Sequence, residues 1–223
     1  MTEPSFIHAT RESYDAIAVH HPGGIGPDLE GKPLDRALLA VFAEWVRAAG
    51  NGPVADVGCG EGGITRALHD LRVDAFGVDL SPEMVALARR RHPDLRFEVG
   101  SMLALDIPDG SLSGVLACYS IIHVPWERRP EVFAEFHRVL APGGHLMLIF
   151  QVGDDRGHRD ELDGLEISLD WYRQRPDEVA DLLDEAGFEA RVSMVRAPEP
   201  GVEKVPQGYL LVRKPPGSPR HSR

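Results

Sequence analysis

Cysteine is nearly absent: the 223 residues hold two, Cys59 and Cys118. Neither sits at a paired metal spacing, and two thiols make no disulfide framework, so a reducing, cytoplasmic setting is expected. No apolar run approaches the roughly 20 residues that a membrane helix needs. Residues 1–10 lack the basic start and apolar core of a signal peptide, so none is expected. No long Lys/Arg run occurs, and acidic residues outnumber Lys and Arg 35 to 24, for a formal net charge of −11. So negative a surface repels phosphate backbones and anionic headgroups, so neither nucleic acid nor a membrane is expected as a partner. The pair His20-His21 has no further ligands at a known spacing, which leaves no metal site in the reading. No internal repeat is found.

What remains is ordinary for a chain that buries a core: 43% hydrophobic and 26% charged residues, within the length of one domain. Leu38, Leu39, Phe42, Trp45 and Val46 recur at helical spacing before Gly50. Apolar runs at 53–57, 75–78, 95–99, 114–119 and 145–150 read as five strands. Helical patterns follow at 64–69, 81–91, 130–140 and 176–186. Ser81-Pro82 suits a helix start, since Ser caps free amides and Pro fits the first turn. The last two strands, 189–195 and 207–212, have no helix between them and should pair antiparallel. Five β-α units closed by a hairpin are therefore expected. Residues 1–33 carry weak signals and read as an amino-terminal cap or lid, 34–214 as the α/β domain, and the Pro/Ser-rich 215–223 as a disordered tail.

The segment Val54-Ala55-Asp56-Val57-Gly58-Cys59-Gly60-Glu61-Gly62-Gly63 is the most informative. A strand that turns sharply into a helix needs glycines for positive φ and close ligand approach. Ligands of open α/β sheets bind beyond the carboxyl ends of the strands, and Asp79 ends the next strand, where a carboxylate can hold ribose hydroxyls. Gly58, Gly60 and Gly63 formally satisfy G-x-G-x-x-G, so a nicotinamide or flavin dinucleotide stays in play. Charge separates the readings: Asp56 and Glu61 would oppose a pyrophosphate, whereas S-adenosylmethionine carries a sulfonium and an ammonium and no phosphate.

Asp56-Val57-Gly58-Cys59-Gly60-Glu61-Gly62 resembles the first motif of the class I S-adenosylmethionine-dependent methyltransferases. Gly77-Val78-Asp79-Leu80-Ser81-Pro82-Glu83-Met84 resembles their second, and the stretch from Phe133 to Leu146 their helix-turn-strand after the fourth strand. The small bacterial quinone-biosynthesis type is the nearest in kind. The resemblance implies a Rossmann-like α/β fold: a seven-stranded, mostly parallel sheet with helices on both faces and an antiparallel last strand. It also implies S-adenosylmethionine as cofactor, leaving as S-adenosylhomocysteine. Gly58, Cys59 and Gly60 would approach its methionine part, Asp56 its cationic end, and Asp79 the ribose. Leu80 and Met84 would pack on the adenine. Family members often place an acidic residue after the third strand, where this chain has Gly100-Ser101-Met102, so Ser101 or Met102 takes the adenine contact. Cys118 and Tyr119 would flank the methyl group, and Tyr14 resembles an amino-terminal tyrosine that closes over the cofactor.

Methyl transfer asks the protein for alignment, water exclusion and sometimes proton removal. His123, just beyond the fourth strand, is the candidate base. His20, His21, Trp171 and Tyr172 are weaker candidates for substrate contact. The fourth strand lacks the Asn/Asp-Pro-Pro-aromatic tetrapeptide presented to flipped bases, so a small organic acceptor is expected, handled by a monomer or weak homodimer. Two other functions stay open: a cofactor-binding regulatory or assembly protein without turnover, and an NAD(P)-dependent oxidoreductase.

Overall fold

The computed structural model describes residues 4–21, 29, 31–50 and 52–217. Parts of the expected cap (1–3, 22–28 and 30) and of the expected tail (218–223) lie outside the described residues. The central sheet contains β1 (Val54–Val57), β2 (Ala75–Asp79), β3 (Arg96–Val99), β4 (Leu112–Cys118), β5 (Leu140–Gln151), β8 (Glu189–Arg196) and β9 (Gln207–Arg213). Its order is β3-β2-β1-β4-β5-β9-β8. Strands β1 to β5 pair in parallel, while β9 runs antiparallel to both β5 and β8. This is the seven-stranded sheet expected from the sequence, with its last strand reversed.

Alternation along each buried strand builds two cores. Val115 and Ala117 of β4, with Leu146 and Leu148 of β5, face α5 (Arg129–Val139) and α6 (Pro176–Glu185). Leu116 and Cys118, with Met147 and Ile149, face α2 (Pro33–Ala49) and α3 (Gly63–Asp70). Period-two side chains on strands covered on both sides explain why these segments read as continuous apolar runs. Helix α4 (Pro82–Arg91) starts as its sequence predicts, with the Ser81 hydroxyl accepting from the Met84 amide at 3.0 Å and Pro82 in the first turn.

Three features depart from the expected pattern. First, no helix crosses from β3 to β4; residues 100–111 make the crossing as turns, so the count of β-α units was one too high there. Second, residues 5–20 form a helix, α1 (Ser5–His20), which buries Ile7, Ile17 and Ala18. Third, a separate antiparallel hairpin, β6 (Arg156–Leu162) and β7 (Leu165–Tyr172), stands between β5 and α6. Ile17 and Ala18 of α1, Met84 and Leu87 of α4, and Ile167 and Leu169 of β7 form one apolar cluster, so helix and hairpin cap the sheet together. The hairpin base is pinned by polar bonds: Trp126 Nε1 donates to Arg173 O at 2.9 Å, and Arg129 donates to Gln174 Oε1, also at 2.9 Å.

Helix α2 approaches the sheet closely at Gly114, where a Cβ would lie 2.7 Å from Val46 Cγ1 and 3.0 Å from Phe42 Cζ. Gly114→Ala is therefore expected to destabilise the fold by about 1–3 kcal/mol through overpacking. Urea denaturation should show a lower midpoint at unchanged slope.

Candidate active site

The strand ends of β1, β2 and β4 open into a cavity of about 670 Å³. Its floor is the turn after β1. Gly58 has φ +77°, and a Cβ there would lie 2.2 Å from Ser120 Cβ, so side chains are excluded both by the backbone and by the neighbouring strand. Ser120 is held against the turn by its hydroxyl, which donates to Val57 O at 2.8 Å. The amides of Gly58 and Cys59 both donate to Val78 O, which fixes the turn on β2.

Two carboxylates are buried here, and among the described residues neither forms an ion pair. Asp79 accepts from the amides of Gly60 at 2.7 Å and Ser81 at 2.9 Å. Burial nonetheless raises its pKa, with the charge of Asp15 adding to the effect and the amide bonds opposing it. Asp56 accepts from the Thr65 hydroxyl at 2.7 Å. Its carboxyl is pushed up to about 7, chiefly by burial, with Asp79 adding repulsion and the Thr65 bond opposing. Glu61, on the outer side of the turn, pairs with Arg91. The glycine turn thus places two carboxyl groups side by side at the cavity floor, held by amide and hydroxyl donors rather than by cations.

The cap supplies the opposite wall. Tyr14 Oη and His123 Nε2 are 2.8 Å apart, and His123 Nδ1 lies 2.8 Å from Asp170 O. A carbonyl can only accept, so Nδ1 carries the proton and Nε2 accepts from the Tyr14 hydroxyl. Burial lowers the His123 pKa, which keeps this neutral tautomer. The Ser13 hydroxyl bonds both the carbonyl and the amide of Ser168, locking α1 to β7. Both thiols in the wall, Cys59 and Cys118, are free and raised by burial.

The cavity gathers Tyr14, His21, Asp56, Gly58, Cys59, Gly60, Asp79, Leu80, Met84, Ser101, Met102, Cys118, Tyr119 and His123. Three of the residues singled out from sequence stand elsewhere. His20 is exposed, and its Nδ1 donates to Ala16 O. Trp171 stacks with the Arg173 guanidinium, 4.8 Å from its ring centroid, and Tyr172 packs edge-on against Trp126. Pairing in β7 turns these aromatics toward the hairpin base. Sequence reading missed Lys32, Gln151, Arg159, Glu203, Lys204 and Gln207, which also line the cavity. Gln151 and Gln207 carried a usable signal, since each is a polar residue ending an apolar strand at the sheet edge where ligands bind. Arg159 sits on a strand too charged to be read as one. Among the described residues no group of three His, Cys, Asp or Glu is placed to hold a metal, and no helix is long and apolar enough to cross a membrane.

Residues 54–144 match the family described as "Methyltransferase domain". The demethylmenaquinone methyltransferase of Chlorobaculum parvum is 33% identical over 97 residues, covering 43% of this chain and 39% of that protein. Magnesium protoporphyrin IX methyltransferase from Synechocystis, solved with bound S-adenosylmethionine, has the same fold: TM-score 0.67 at 16% identity, over 96% of this chain and 99% of that one. The [4+2]-cyclase SpnF is similar to the same degree, with TM-score 0.68 at 19% identity, over 97% and 98% of the two chains. The chain covers 39–40% of the length of the curated relatives that it matches first. With this sheet order, this glycine turn and this matched segment, residues 54–144 form a methyltransferase domain within a sheet that has the fold of the class I S-adenosylmethionine-dependent methyltransferases.

Proposed function

We propose that the chain transfers a methyl group from S-adenosylmethionine to a small organic molecule bound in the same cavity. The observation that carries this reading is the pair of buried carboxylates, Asp56 and Asp79, at the glycine turn. A pyrophosphate placed over that turn would meet the Asp56 carboxylate, whereas a ligand with a cationic amino-acid end and a ribose diol suits both groups. The residues therefore fit the cofactor. Gly58, Cys59 and Gly60 would hold its methionine part, Asp56 its cationic end, Asp79 the ribose, and Leu80, Met84, Ser101 and Met102 the adenine, with Cys118 beside the methyl group. When bound, the cofactor supplies a methyl group already activated on a sulfonium sulfur.

The chain's own work is alignment, exclusion of water and handling of a proton. Helix α1 and the β6–β7 hairpin form the wall that keeps water out. His123, neutral and oriented by Asp170 O, holds the Tyr14 hydroxyl at the cavity surface. A proton leaving an acceptor hydroxyl or amine passes to His123 Nε2 once the Tyr14 hydroxyl shifts to the incoming group. The acceptor is a small molecule and not a nucleic acid, in keeping with the net charge of −11. Among the described residues, the exposed large apolar side chains are the five valines Val19, Val41, Val99, Val195 and Val202, scattered along the chain, which suits a monomer or weak dimer. Two buried free thiols suit the cytoplasm. The fold's likeness to a [4+2]-cyclase supports a second reading, in which the cofactor binds and methyl transfer does not occur.

Calorimetric titration separates these readings from each other and from a dinucleotide. S-adenosylhomocysteine should bind with micromolar affinity and NAD should not, and Asp79→Ala should weaken the former about 10–100-fold by removing charge-assisted bonds. Preference for NAD would end the proposal. Binding without label transfer from S-adenosylmethionine to any component of a metabolite extract would favour the second reading.

Affinity for S-adenosylmethionine should also depend on pH. Asp56 is protonated below about 7, so attraction for a cation is lost as pH falls through that value and recovered as pH rises. The titration repeated between pH 5.5 and 8.5 should show this slope in the wild type and a flatter profile in Asp56→Asn. The same raised pKa means that ionising Asp56 destabilises the empty protein as pH rises.

His123→Ala is expected to lower turnover about 10²–10⁴-fold if the histidine takes the proton. Because burial lowers its pKa, the acid limb of the wild-type rate profile should fall below the ordinary imidazole range. Full turnover in His123→Ala would remove it from the chemistry.

A further inference from the structure

At the far side of the cavity from the glycine turn, the ends of β4 and β5 meet the start of β9. Gln151 and Gln207 are direct partners across the β5–β9 pair, and the Tyr119 amide donates to Ile149 O at 2.8 Å. Gln207 is 2% exposed. Its Nε2 donates to Val205 O at 2.7 Å. A carbonyl cannot donate, so this bond fixes the amide: the NH₂ faces Val205 and Oε1 is turned the other way. Oε1 is buried and has no hydrogen-bond partner among the described residues, and the same holds for the Tyr119 hydroxyl and for His21 Nε2. All three residues line the cavity.

The surrounding wall is too well tied to move in and satisfy them. Arg196 grips Glu203 through two bonds of 2.7 Å, and its Nε donates to the Tyr209 hydroxyl at 3.1 Å. The Tyr209 hydroxyl donates in turn to Asp35, and Lys32 stands 3.7 Å from Glu203. Tyr119 itself has φ +53°, a conformation rare outside glycine, which holds its side chain in place at a cost in backbone strain. Buried polar atoms left without partners destabilise a fold, so several along one cavity wall mark where a ligand completes the bonding.

We propose that Gln207 Oε1 and the Tyr119 hydroxyl form the acceptor subsite, and that the methyl acceptor presents an O–H or N–H donor to Gln207. This assignment rests on the reading of the cavity as a cofactor and acceptor site. Gln207 Oε1 is acceptor-only, so it selects a donor on the ligand. Burial pushes the Tyr119 pKa up, so its hydroxyl stays protonated and donates to the ligand's oxygen or nitrogen lone pair. A hydroxyl-bearing molecule satisfies both, and Val202 and Val205 line the cavity beside them.

The test uses the full chain saturated with S-adenosylhomocysteine and a matched pair of probes, phenol and anisole, which differ in the capped oxygen. Phenol should bind at least about tenfold more tightly than anisole, and Gln207→Met should abolish that difference. Soaked crystals should place the phenol oxygen on Gln207 and Tyr119. Equal binding of the two probes, or no binding of phenol to the loaded protein, overturns the assignment, while failure of S-adenosylhomocysteine itself to bind overturns the cofactor reading beneath it. A second variant needs no ligand. Tyr119→Phe keeps the ring and removes an unpartnered buried hydroxyl, so the melting temperature of the empty chain should rise by about 2–4 °C. A fall in melting temperature would show a structural role for the hydroxyl and would overturn the proposal.

Discussion

The carboxylate of Asp79 is the fixture on which the site depends. Its two oxygens accept from the turn after β1, through Gly60, and from the start of α4, through Ser81. The Ser81 hydroxyl in turn donates to Asp15 of α1, and the amide of Glu83 donates to the same carboxylate. A single path of hydrogen bonds thus runs from the glycine turn, through the end of β2, to the amino-terminal helix. Placing a charge at 9% exposure is unfavourable on its own. It is tolerated because backbone amides orient toward it, and it gains more when a polyol or a cation enters the cavity. Site and scaffold are built on one group, so the position cannot be varied for stability without changing what the cavity holds.

The cap is fastened by the same kind of bond. Ser13 joins α1 to β7, His123 joins the turn after β4 to β7 through Asp170, and Tyr14 closes the ring from α1 to His123. The Tyr14–His123 bond lies at the cavity wall, and one apolar cluster, shared with α4, holds helix and hairpin together. The polar ring has a chemical consequence as well. It fixes the proton on His123 Nδ1 and leaves the Nε2 lone pair engaged by the Tyr14 hydroxyl.

How far the sequence reaches follows from where each element buries its side chains. Strands β1, β2, β4 and β5 are covered on both faces, so Val54 to Val57 or Leu146 to Phe150 read as strands from composition alone. The turn at Gly58 is legible because positive φ and the approach of Ser120 admit nothing but glycine. The β6–β7 hairpin has the Asp163-Gly164 turn signal, yet its strands read Arg-Gly-His-Arg-Asp-Glu-Leu and Leu-Glu-Ile-Ser-Leu-Asp, with one face in water. Only Ile167, Leu169 and Tyr172 are buried there, and charge masks the alternation. Helix α1 has no side-chain cap and few buried positions, so its pattern is faint. Trp171 and Tyr172 were misplaced for this reason: in a loop they could reach a ligand, whereas pairing in β7 sends them to the hairpin base. The partnerless state of Gln207 and Tyr119 is beyond any sequence reading, because it depends on what the folded wall fails to supply.

The two ends of the cavity make opposite demands on a ligand, and together they narrow its contents. The glycine turn offers carboxylates whose burial is relieved by positive charge and by hydroxyl groups. The β4–β9 wall offers neutral polar atoms whose burial is relieved by one donor and one lone pair. A dinucleotide suits the turn poorly, since its phosphates would face Asp56. A single ligand long enough to serve both ends would have to carry a cationic head and a neutral polar tail, and two ligands meeting in the middle meet the same demands with less constraint. Cys118, the last residue of β4, and Tyr119, the residue after it, line the cavity between the two. The division of labour between a cofactor half and an acceptor half is therefore imposed by the electrostatics of the cavity walls and by the reversal of β9, which brings Gln207 to the strand ends that Asp56 and Asp79 already occupy.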